Sequence, residues 1–344
     1  MHAEAHTSHL AARPLSGRLP GLDALRGIAA LCVLYFHLIH HLTPFPELKG
    51  KGYLAVDFFF MLSGYVMART YEHRFAEGFG LLRFMRARYW RLWPVMAIGA
   101  LIGSPMVLND MGYSKQAFAV AGANILLLPA YGVSVLYPAN FAAWSIFGEL
   151  VANFFHGSLA WRWRTPAIAI FAALLFPAMV WLVLHFGSLD FGIAADSAVG
   201  GVVRALFAYS IGIVLFRCWR DRPGLRINPV IAFAAMPALL ALSQTPVVPT
   251  QIFDLAFIIV VCPFLIAGGL ALRHEHWAAT WLGLISFPLY AVHGPVLQWT
   301  KGLGYSAAAG GSAALLLAIL LALLTDPMGN SKLRDALAVK GWRG

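Results

Sequence analysis

The chain has 344 residues, of which 60% are hydrophobic and only 12% charged. A soluble protein carries about 25% charged residues, and the many apolar stretches of about 17–22 residues match the length that crosses a bilayer. A soluble all-α protein is therefore excluded, and the net charge of +10 does not mark a nucleic-acid binder, because the basic residues cluster between apolar stretches as the positive-inside rule requires.

Residues 1–20 are polar, with Arg13, Arg18 and two prolines, and are expected to form a cytoplasmic tail. No short apolar core lies in this stretch, so no cleaved signal peptide is expected. The expected fold is all-α, a polytopic transmembrane bundle of about ten helices. They fall at 21–43, 54–73, 93–109, 140–158, 166–186, 198–217, 228–243, 251–271, 279–299 and 307–326. Residues 21–326 make one transmembrane domain, and 327–344 a second cytoplasmic tail. The apolar segment 117–137 is expected to be re-entrant or superficial. An eleventh span there would turn Arg217, Arg220, Arg222 and Arg226 outward, against the charge rule. With ten spans and a cytoplasmic N-terminus, all but six of the 25 Lys and Arg fall inside the cell. The exceptions are Lys49, Lys51, Lys115 and Lys301 outside, and Arg26 and Arg204 within spans. Cys32, Cys218 and Cys262 show no disulfide or metal spacing, and no metal site is expected.

Arg26 and His37 sit in LRGIAALCVLYFHLIHHL, eleven residues apart. At about 100° per residue they share one helix face, about 16 Å apart. A cation and an imidazole in lipid are costly, so both should face protein or a wet cavity. His40 and His41 lie nearer the outer surface and read as interfacial.

Further motifs carry a resemblance. GLDALRGIAALCVLYFH, VDFFFMLSGYVM and FMRARYWRLWP are followed in order by NFAAWSIFGELVANFF, RALFAYSIGIVL and ISFPLYAVHGPVL. Together they resemble the acyltransferase-3 family of integral membrane O-acyltransferases, over about residues 20–325. The resemblance implies transfer of an acyl group, commonly acetyl from acetyl-CoA, to a hydroxyl of a glycan or lipid-linked sugar. It also implies that Arg26 and His37 are the hallmark pair.

Acyl transfer to a hydroxyl needs a base, and neutral imidazole suits the task near pH 7. His37 is the expected base. Depth counting places Glu149 and His293 near the same layer in the outer half, with Arg204 and Asp57 toward that side. Glu149 is expected to orient His37. His293 is expected to bind the acceptor or donate to the thioester oxyanion. Ser63 either packs helices closely or serves the substrate, a covalent serine intermediate being one form of that. Asp57, Ser63, Arg204 and His293 form the expected substrate-binding set. The basic loop holds Arg83, Arg86, Arg88 and Arg91. Planar guanidinium groups suit phosphate, so Arg26, Arg86, Arg88 and Arg91 are the expected acyl-CoA docking set. The alternative for the loop is plain topology or anionic-lipid contact.

The expected protein is thus a bacterial inner-membrane O-acyltransferase with both termini cytoplasmic. It would use acyl-CoA as donor substrate, hold no tightly bound cofactor and contact membrane lipids. The alternatives are a cytoplasmic small-molecule acceptor, or a transporter or flippase for a polar lipid.

Overall fold

The computed structural model describes residues 17–42, 50–242 and 248–325. Lys49, the side chain of His41, the tail up to residue 16 and the tail 327–344 lie outside the described residues. Besides two single-turn 3-10 helices, Gly52–Leu54 and Ala160–Arg162, eleven longer helices are described: α1 (Pro20–Leu42), α2 (Ala55–Ala76), α3 (Leu81–Asp110), α4 (Lys115–Ile125), α5 (Ala143–Ser158), α6 (Thr165–Phe186), α7 (Ala198–Trp219), α8 (Pro229–Leu242), α9 (Thr250–Ala271), α10 (Trp277–Gly302) and α11 (Ala307–Thr325). Among the described residues there is no strand, only an isolated bridge between Val135 and Ala194. The bundle is all-α. Seven of these helices are long and apolar enough to cross a membrane: α1, α3, α6, α7, α9, α10 and α11.

Bonds between helix ends give the alternation of the bundle. At one end, Arg217 at the close of α7 reaches Glu72 late in α2 and the Trp163 carbonyl just before α6. Arg69 in α2 meets Asp221 just after α7. This basic end carries most of the described arginines. At the opposite end, Lys51 ahead of α2 pairs with Asp254 early in α9, and Trp299 late in α10 bonds the Ile102 carbonyl of α3. Helices α1 and α10 pack face to face, as do α2 and α7. The second contact is backbone-close. A methyl on Gly64 would strike the Tyr209 carbonyl, and one on Gly212 would strike the Met61 carbonyl. Small residues permit such approaches between helices in lipid.

One helix boundary changes. Helix α3 begins at Leu81 rather than at 93, so the basic segment is helix and not loop. Its Leu, Arg and Met residues are good helix formers, and the helix continues through Pro94. Segment 117–137 opens as the short helix α4, capped by Ser114, and continues as irregular chain tied to Asn124. Eleven residues rise only about 16 Å, too little to cross a bilayer.

Helix α10 shows how local sequence shapes the site. Pro295 has no N–H, so the Ala291 carbonyl loses its intrahelical partner. The buried Asn140 side chain donates to that carbonyl instead, at 2.8 Å.

Candidate active site

Two cavities lie in the bundle and share a wall. The larger has a volume of about 1110 Å³ and lies toward the basic end, between α1, α2, α3, α5 and α10. The smaller, of about 30 Å³, is lined by α1, α2, α5, α7 and α10 together with Asp190, Phe191 and Ile193. Val56 and Tyr290 line both. The Tyr290 hydroxyl bonds Ser145, itself on the lining of the larger cavity, at 2.6 Å.

The larger cavity is basic. Arg18, Arg26, Arg69, Arg88 and Arg91 line it, against only Asp23 and Glu149. Arg26 makes a loose 3.4 Å contact with Asp23 one turn before it. Arg88 is buried and donates to Glu149 at 2.6 Å, and Ser63 donates to the same carboxylate oxygen at 2.8 Å. Arg88 Nε is buried with no hydrogen-bond partner. Arg88 and Arg91, three residues apart, share the cavity face of α3. Arg86 lies about 200° around the helix from Arg88; it is exposed and absent from the cavity lining.

The smaller cavity holds two imidazoles. The rings of His37 and His293 stand 5.1 Å apart, and Phe141 packs against both, at 4.7 and 5.8 Å. His293 is 1% exposed, and its Nδ1 lies 2.8 Å from the Tyr290 carbonyl and 3.2 Å from that of Leu289. Arg204 lines the same chamber. It grips Asp57 bidentately at 2.9 and 2.7 Å and also donates to the Phe191 and Tyr53 carbonyls. Asp57 is fully buried.

The sequence-derived set therefore divides in two. His37, His293 and Arg204 meet at the small chamber, while Arg26, Arg88, Arg91, Ser63 and Glu149 meet at the large one. Glu149, expected beside His37, is instead held by Arg88 and Ser63. Depth counting fixes a height in the bilayer and not the side of a helix. A carbonyl also only accepts, so His293 Nδ1 carries the proton and neutral His293 has no second N–H for an oxyanion. Asp57 and Arg204 serve each other rather than offering a free charge. His40 is exposed and stacks on Phe36.

Several groups were not singled out from the sequence. Arg18 and Arg69 join the basic cavity and Tyr290 the partition. Asp254 is fully buried and takes bonds from Lys51, Tyr53 and the Leu189 amide. Lys51 was expected in an outer loop. Burial, and then the Asp254 carboxylate, push the Tyr53 phenol above its ordinary range, so it remains a donor. A lone aspartate in α9 and a charged loop gave no signal that they pair.

Fold and cavities define a polytopic helical membrane protein that gathers cations in one cavity and imidazoles in the next. Residues 19–326 match the acyltransferase-3 model, described as an acyltransferase domain, and the chain belongs to that family. It is 35% identical over 153 residues to protein 2 in the picA locus of Rhizobium radiobacter, covering 38% of this chain and 77% of that protein. It is 34% identical over 80 residues to the O-acetyltransferase OatA of Staphylococcus aureus strain NCTC 8325 / PS 47, covering 23% of this chain and 12% of OatA. No solved structure matches.

Proposed function

We propose that this chain moves an acyl group, acetyl in the first instance, from acyl-CoA to a hydroxyl of a cell-surface or lipid-linked glycan. The reaction would take place in a bacterial inner membrane, with both termini in the cytoplasm. One observation carries the reading: a basic cavity and a two-imidazole chamber share the Val56–Tyr290 wall. CoA is a long anion with a thioester at its far end. Its three phosphate groups suit Arg26, Arg88 and Arg91, whose planar forks bind phosphate bidentately. A cavity of about 1110 Å³ is ample for so large a ligand. The thioester would then lie against Tyr290.

At that wall the chemistry is simple. The acceptor oxygen attacks the thioester carbonyl carbon while its proton passes to the His37 imidazole. Collapse of the tetrahedral intermediate breaks the C–S bond, and the CoA thiolate takes the proton back from His37. Of the expected substrate-binding set, Arg204 and His293 line the chamber. Asp57 holds Arg204, and Ser63 acts with Glu149 on the donor side.

The test compares surface glycans from cells with and without the gene by mass spectrometry, alongside thiol release from acetyl-CoA by the purified protein. Loss of acetyl esters on deletion, restored by the wild-type chain and not by His37→Ala, is expected. Unchanged glycans and no thiol release from any acyl-CoA would overturn the reading.

A further inference from the structure

At the small chamber the structure leaves the buried Nε2 of His293 without a hydrogen-bond partner. His293 Nδ1 donates to backbone carbonyls of its own helix, at 2.8 Å to Tyr290 and 3.2 Å to Leu289. A neutral imidazole carries one N–H, so Nε2 presents a lone pair. That atom is buried and has no hydrogen-bond partner. Orphaned buried polar atoms are rare, and each calls for a reason. Here the reason lies beside it. The His37 ring is 5.1 Å away, centre to centre, and Phe141 fixes both rings. The chamber's 30 Å³ holds about one water-sized group. Glu149, the carboxylate that might have served His37, is engaged by Arg88 and Ser63.

We propose that His293 is a positioning residue that completes a two-imidazole dyad with His37. This deepens the acyl-transfer reading and rests on it. One nitrogen of His37 takes the proton of the acceptor hydroxyl. Its other nitrogen keeps an N–H, which His293 Nε2 accepts directly after a small ring rotation or through one water. The contact selects the His37 tautomer whose lone pair faces the substrate and stabilises the imidazolium that forms. In serine hydrolases a carboxylate does this work. An uncharged imidazole does it here without burying a further anion in the bilayer. When the C–S bond breaks, the thiolate removes the proton from His37 and the dyad returns to neutral. The His293 backbone bonds persist throughout, so its lone pair is always presented.

The test uses the purified full-length protein in detergent or nanodiscs, reading thiol release from acetyl-CoA. His293→Leu should lower kcat by about 100-fold and leave KM for acetyl-CoA within about twofold, because the donor cavity is intact. His293→Gln places an acceptor oxygen near the former Nε2 and should recover at least about tenfold of that loss. Both variants should match wild type in gel filtration and thermal stability. Wild-type kcat in His293→Leu, or equal losses in the Leu and Gln variants, would overturn the dyad. So would a His37→Ala protein that keeps His293-dependent turnover, which would make His293 the base itself. A wild-type protein that releases no thiol from any acyl-CoA would instead remove the acyl-transfer reading beneath it.

Discussion

Arg204 and Arg88 both meet carboxylates inside the bundle, and they differ in how much of their hydrogen-bonding capacity is used. Arg204 makes four bonds, two to Asp57 and two to backbone carbonyls. It is 1% exposed and lies near the faces of Trp144 and Phe191. Arg88 donates once to Glu149, keeps an unpartnered Nε, and lines a large cavity with Arg26 and Arg91. A guanidinium has five N–H donors. Nearly saturated, it is a fastener; with donors left over beside open space, it is equipped for a ligand. The contrast separates two intramembrane arginines that composition alone treats alike.

The largest effect expected from this contrast is at Arg204. Arg204→Met strands a fully buried Asp57, and breaking such a pair costs about 3–5 kcal/mol. The variant should yield little folded protein by gel filtration, and adding Asp57→Leu should restore part of it. Normal yield of the single variant would mean that Arg204 does not fasten the fold. Next comes His37→Ala, which should lower turnover by about 10²–10⁴ in protein of normal thermal stability. His40→Ala should leave turnover near wild type, since His40 is exposed, stacks on Phe36 and does not line the chamber. Equal losses at the two positions would break the assignment of one catalytic face to α1.

The donor side gives smaller, binding-type effects. Arg91→Ala should raise KM for acetyl-CoA roughly tenfold with kcat little changed, because a charge-assisted bond is worth about 1.5–3 kcal/mol. Arg86→Ala should change binding by less than about 0.5 kcal/mol, because Arg86 does not line the cavity. Equal effects at Arg86 and Arg91, read from the same titrations, would return the arginines to a general charge role.

Much of the fold was legible in the sequence, because apolar length sets helix number and charge sets where helices end. A helix occurs at each of the ten expected places, seven of them long and apolar enough to span, and 117–137 holds only the short α4. The start of α3 was misplaced because Arg, Leu and Met carry high helix propensity but low hydropathy as a group. The site was legible in part. Helical phase put Arg26 and His37 on one face, and they line the two adjoining cavities. Depth counting brought His293 to His37 but did not foresee that Glu149 lines the larger cavity, since partners across spans depend on helix rotation and neighbour order. The Lys51–Asp254 pair, 203 residues apart in the chain, was invisible for the same reason.

The central claim is that an acyl-CoA donor lies in the basic cavity and presents its thioester to the imidazole chamber. Calorimetric titration of acetyl-CoA into purified wild type, Arg26→Ala, Arg91→Ala and His37→Ala tests it most directly. The account predicts affinity weakened roughly tenfold in each arginine variant and unchanged in His37→Ala, although that variant no longer turns over. Unchanged affinity in both arginine variants, or binding lost only in His37→Ala, would contradict it.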